Sequence, residues 1–60
     1  MVRDPFIDAI NHEVEVYLSD GKVIKGTLLN YKPPFLIVLN EKKEIWIISL
    51  AEFVEMKVKQ

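Results

Sequence analysis

The sequence predicts a mainly β fold, a short N-terminal helix followed by a five-stranded, strongly bent small barrel, and three observations carry that reading. The first is the run Val14-Glu15-Val16-Tyr17-Leu18. Val14, Val16 and Leu18 share one face and Glu15 and Tyr17 the other, the alternation of a half-buried strand. The second is Asp20-Gly21, which supplies the positive φ of a tight hairpin leading into the next apolar run. The third is Gly26, placed inside that second run, where a glycine marks a bulge or sharp bend of the kind that lets a short sheet curl.

Taken in order, Asp4-Pro5 reads as an N-cap with proline at the first helical position, and Phe6, Ile7 and Ile10 supply an apolar face, so a two-turn helix is expected over about 5–11. So short a helix does not persist alone in water, and Phe6 and Ile10 are expected to dock on the open end of the barrel. Strands are expected over about 13–18 and 22–31, after which Tyr31-Lys32-Pro33-Pro34 should break the ladder as a stiff loop, since proline donates no backbone hydrogen bond. Phe35-Leu36-Ile37-Val38-Leu39 is a third strand (35–39), Asn40-Glu41-Lys42-Lys43 its polar turn, and Glu44-Ile45-Trp46-Ile47-Ile48 a fourth (44–48). Neither run alternates, which implies cover on both sides, the second cover coming from a neighbouring subunit. Ser49 to Glu52 connect to a fifth strand over 53–58. Residues 1–60 are read as a single domain with no repeat, linker or low-complexity stretch.

Sixty residues bury only about 60% of the surface of the unfolded chain, so a domain this small has little stability of its own. The chain has no cysteine, hence no disulfide or thiolate metal site, and its one histidine, His12, has no partner at ligand spacing. With half the residues hydrophobic, the remaining source of stability is association with further copies. No apolar run has the length of a membrane span and no secretory leader is read at the start, so a soluble, cytoplasmic protein is expected. A formal net charge of −1 argues against a generic electrostatic nucleic-acid binder and leaves any polyanion site to local placement of Lys and Arg.

No nucleophile, acid–base pair or metal constellation has a catalytic arrangement, and no enzyme activity, cofactor or metal is expected. Asp4, Asp8, Glu13 and Glu15 read as a helix cap and a solvated strand face, and His12 as a helix-end residue. Aromatic platforms beside local cations grip single-stranded nucleic acid, by base stacking and phosphate neutralisation. Tyr31, Phe35 and Trp46 are the aromatics nearest loops or edges, with Lys22, Lys25, Lys32, Lys42 and Lys43 around them. Phe35 and Trp46 read more readily as core or interface than as base platforms, and Lys42-Lys43 as a solvated turn.

The chain resembles the Sm and Sm-like (LSm) family, most nearly its bacterial branch, the RNA chaperone Hfq. The resemblance rests on a short helix, five bent strands and Tyr17-Leu18-x-Asp20-Gly21 followed by Gly26 and the apolar strand from Phe35 to Leu39. In addition, Asp4-Pro5-Phe6-Ile7-Asp8-Ala9-Ile10 is similar to the Asp-Pro-Phe-Leu-Asn-Ala-Leu opening of that branch. It implies an SH3-like, Sm-like barrel and a homo-oligomeric ring, commonly of six or seven copies, in which the fourth strand of one subunit pairs with the fifth of the next. Ile45, Trp46, Ile47, Phe53, Val54 and Met56 would form that interface.

On one ring face the resemblance implies RNA contacts near Arg3, near Lys32, Pro33, Pro34 and Phe35, and near Ile47, Ile48 and Ser49. The last three lack the Lys-His or Arg-Gly donors of the family. On the other face it implies contacts at Tyr17, Gly21, Lys22, Ile24 and Lys25, with Tyr17 as the stacking group and the two lysines within reach of phosphates. The RNA-binding residues expected are therefore Tyr17, Gly21, Lys22, Lys25, Arg3, Tyr31, Lys32 and Phe35. The function expected is a ring-forming, single-stranded-RNA-binding protein, an RNA chaperone or RNA-metabolism scaffold. The alternatives are a ring or barrel acting in protein–protein interaction with RNA binding lost, and an isolated SH3-like barrel, which would be monomeric.

Overall fold

In the computed structural model residues 4–59 are described, and they fold as one helical turn and one five-stranded antiparallel sheet. Asp4 lies in extended backbone, and its carboxylate accepts a hydrogen bond from the Phe6 N–H at 2.9 Å, capping α1 (Pro5–Asp8). The helix is shorter than the 5–11 span expected. Asn11 takes a left-handed φ of 72° and donates its N–H to the Leu28 carbonyl at 2.7 Å, so the chain turns away to join the sheet before a second helical turn closes. Phe6, Ala9 and Ile10 pack inward at helical spacing. Ile7, expected on the same face, points outward because it lies about 100° round the helix from Phe6, on the side away from Ala9.

The strands are β1 (Glu13–Leu18), β2 (Val23–Lys32), β3 (Phe35–Asn40), β4 (Ile45–Ser49) and β5 (Phe53–Lys59), in the sheet order β4-β3-β2-β1-β5. The hairpin between β1 and β2 is closed by Gly21 at φ 91° and by the Asp20 carboxylate, which accepts from the Lys22 N–H at 2.9 Å. The turn from β3 to β4 is organised by Asn40, whose side-chain oxygen accepts from the N–H groups of Lys42 and Glu44 at 2.9 Å each.

Two local expectations are corrected. Gly26 is not the bulge: it sits opposite Asn40, and a Cβ there would collide with the Leu39 carbonyl oxygen and come within 2.8 Å of Asn40 Cα. The irregularity in β2 is at Leu29, where pairing passes from Leu28 with Val38 to Asn30 with Ile37. Nor do the prolines break the ladder early. Tyr31 pairs with Leu36 and Lys32 with Phe35, so Pro33 and Pro34, joined by a cis peptide bond, form only the tip of the connection, where no N–H is needed.

The core gathers Val14, Val16 and Leu18 of β1, Ile24 and Leu28 of β2, Leu36 and Val38 of β3, and Ile48 of β4, closed at one end by Ala9. Within the chain β3 and β4 are covered on one side only. Ile45 and Ile47 remain 64% and 67% exposed, so the unbroken apolar run hides an ordinary alternation of burial. Among the described residues, no helix is long and apolar enough to cross a membrane.

Candidate nucleic-acid interface

Residues paired directly across antiparallel strands point to the same side, so the register builds the outer face of β2, β1 and β5 as three rows. They are Val23, Tyr17 and Glu55; then Lys25, Glu15 and Lys57; then Thr27, Glu13 and Lys59. The Tyr17 hydroxyl donates to Glu15 Oε1 at 2.9 Å, and the Lys57 ammonium lies 5.3 Å from the centroid of the Tyr17 ring, a cation–π approach. Lys59 Nζ lies 3.3 Å from a Glu13 carboxylate oxygen and 3.5 Å from one of Glu15.

These contacts set the charge states. The Tyr17 hydroxyl, helped by Lys59 and Lys25, holds the Glu15 carboxyl below its ordinary range against the opposing effect of desolvation. Its hydrogen bond and charge attraction to Glu13, with Glu15 adding to both, push the Lys59 ammonium above its ordinary value. The result is an aromatic ring tethered by Glu15 and approached by the Lys57 ammonium, within rows that hold three lysines and three glutamates.

Of the expected RNA-binding residues, Tyr17 and Lys25 meet on this face. Gly21 and Lys22 stand in the turn beyond it, and the Lys22 ammonium lies 6.0 Å from the Trp46 ring centroid, joining β4 rather than Tyr17. Tyr31 is drawn into the core side, its ring 4.9 Å from that of Phe6, while Phe53 meets Phe6 edge-on at 5.2 Å. Lys32 and Phe35 face each other across the proline tip, Phe35 is 44% exposed, and the Pro34 carbonyl accepts from the Leu50 N–H at 2.9 Å. The connection after β4 is thereby held against this loop, forming a second, separate cluster. Ile48 is part of the core, and its side chain is not available to a ligand. Arg3 lies outside the described residues.

The backbone matches the crystal structure of the pleiotropic translational regulator Hfq with a TM-score of 0.81 over 98% of this chain and 100% of the other, at 16% sequence identity. The fold is Sm-like. No protein-family model and no curated protein matches the sequence. The likeness is thus carried by the backbone path, and the chemistry of the site has to be read from this chain's own residues.

Residues missed by sequence reasoning are Lys57 and Lys59, which complete the rows of this Sm-like barrel, and Glu15, a tether for the Tyr17 hydroxyl rather than a loose surface charge. The alternation Glu55, Lys57, Lys59 against Met56 and Val58 was a signal for which β5 side chains share a face. The six expected interface residues divide. Ile45, Ile47 and, at 60% exposure, Val54 face outward on the two strands that end the sheet, whereas Trp46, Phe53 and Met56 pack partly against their own core. Among the described residues no group of three or more potential ligands is placed to hold a metal ion.

Proposed function

We propose that this Sm-like chain assembles into a closed homo-oligomeric ring and binds single-stranded RNA on the face that carries Tyr17, Lys25 and Lys57. The observation that carries the reading is the sheet order. β4 and β5 are its two edges, each presents a row of backbone donors and acceptors, and each bears exposed apolar side chains, Ile45 and Ile47 on one and Val54 on the other. An edge of this kind is a template for another strand, and pairing β4 of one copy with β5 of the next gives both edges a partner at once.

RNA binding follows from repetition. One Tyr17 ring with its lysines is a modest site, but several equivalent sites around a ring act on one flexible strand, and effective concentration multiplies their affinity. The description of Hfq as a pleiotropic translational regulator fits a cytoplasmic role in RNA metabolism, and the reading includes no catalytic step. Native mass spectrometry before and after nuclease treatment tests it. The expected result is a multiple of the chain mass that sheds oligonucleotide on treatment, with binding that falls steeply with salt and falls further in Lys25→Ala with Lys57→Ala. A monomer, or a ring whose RNA affinity is untouched by those substitutions, overturns it.

A second reading is favoured by one observation: Lys59 is held by Glu13 and Glu15, and the chain carries a net charge of −1, which suits a protein-interaction scaffold. A ring that never carries nucleic acid decides for that alternative.

A further inference from the structure

On the outer face of β1, Glu15 stands two residues before Tyr17, and its neighbours in the row are Lys25 on β2 and Lys57 on β5. Its closest contacts run along the face rather than across the row. One carboxylate oxygen accepts from the Tyr17 hydroxyl at 2.9 Å, and the other lies 3.5 Å from Lys59 Nζ, which comes from the row of Glu13. The Lys57 ammonium in turn leans toward the Tyr17 ring, 5.3 Å from its centroid. The pairing of β1 with β5 thus builds a relay from Lys59 through Glu15 to Tyr17. The Glu15 side chain is 17% exposed and that of Glu13 63%, so Glu15 is the covered member of the pair that holds Lys59.

We infer that Glu15 is a positioning residue for the Tyr17 platform: it touches no nucleotide, and its bond to the phenol holds the ring in one pose, ready for a base. The inference rests on the RNA-binding reading above and adds to it the residue that sets how well the ring stacks. Three features support it. A strand side chain without a tether has more than one χ1 well open to it, and a base that stacks on such a ring must first freeze it, at a cost in affinity. A carboxylate beside a phosphate site repels the strand, so a glutamate in this place weakens binding unless it serves another end. The Tyr17 hydroxyl is the largest influence holding the Glu15 carboxyl below its ordinary range, helped by Lys59 and Lys25 against desolvation, so the ionised carboxylate is the form that grips the phenol.

Repulsion and positioning act on affinity with opposite signs, which makes them separable. Fluorescence anisotropy follows the nuclease-treated protein as it binds a fluorescein-labelled oligoadenylate and a labelled strand of equal length without bases, for the wild type and for Glu15→Ala, Glu15→Gln, Tyr17→Phe and Tyr17→Ala. Charge alone predicts that Glu15→Ala binds both strands more tightly. Positioning predicts that it binds oligoadenylate several-fold more weakly while holding the abasic strand at least as well as the wild type does. Tyr17→Phe, which keeps the ring and loses the hydroxyl, is expected to show the same loss. Glu15→Gln, whose side-chain oxygen still accepts from the phenol, is expected to recover most of it.

Oligoadenylate binding that is unchanged or tighter in Glu15→Ala, with Tyr17→Ala weakened, overturns the inference and leaves the proposed function standing. Equal losses on the two strands also overturn it, because a disturbed fold or assembly, and not the stacked base, then accounts for them. Failure of the wild type to bind oligoadenylate, or a Tyr17→Ala variant that binds it like the wild type, overturns both readings.

Discussion

The backbone of Gly26 lies against the carbonyl of Leu39, with no room between them for a side chain. Gly26→Ala must therefore part β2 from β3 where Gly26 pairs with Asn40. The expected cost is about 3 kcal/mol, the upper end of ordinary overpacking. Since domains are stable by only roughly 0.05–0.15 kcal/mol per residue, that is between about a third and all of the stability of a chain this short. A circular dichroism melt at fixed protein concentration checks it; a melting temperature within a degree or two of wild type would show that the strands separate without strain.

Leu36 is fully buried, on β3 between its pairing partners Tyr31 of β2 and Ile48 of β4. Leu36→Ala is expected to lower stability by about 2–5 kcal/mol. Ile47→Ala, at an exposed position, should leave the monomer nearly unaffected. Urea unfolding of the two side by side checks the contrast.

The Lys59 tie to Glu13 and Glu15 has a defined pH window. Glu15 titrates below its ordinary value of 4.5, so its contribution is present above 4.5 and is lost as pH falls through the lower folded value. Lys59 titrates above its ordinary value of 10.5, so its contribution is present below 10.5 and is lost as pH rises through the folded value. Urea midpoints at pH 6 and pH 3 should fall further in the wild type than in Glu15→Gln, and the difference should shrink in high salt. Equal losses in the two proteins would remove Glu15 from the account.

Ile47→Lys places a charge on the outer surface of an edge strand. In an isolated barrel this is harmless; in a strand-paired assembly it desolvates an unpaired ammonium. The expected outcome is a folded monomer by circular dichroism and native mass spectrometry, and retention of the full assembly mass would move the contact elsewhere.

The first hairpin was legible because its information is local: alternation at Val14 to Leu18 and the Asp20-Gly21 turn are both written in adjacent residues. The helix was overextended because nothing in the sequence marks Asn11 as left-handed; that conformation is imposed by its bond to Leu28, far along the chain. Gly26 announced a special position but not which one, since a bulge and a close approach both call for glycine. The site was half legible. Tyr17 and Lys25 could be placed together from the hairpin register, but Lys57 and Lys59 arrive from the far end of the chain, and only the β1 to β5 pairing puts them there.

The register between β1 and β5 slips at Tyr17 and Leu18, so β5 departs from the line of the sheet it ends. In a head-to-tail series of copies, each step repeats the rotation between one free edge and the other, and the series either returns to its start or grows as an open fibre. That slip is part of what fixes the rotation. Val54 is the residue left over at that slip, so deleting it would restore an even register at the edge and, in a ring of copies, change the angle at every step.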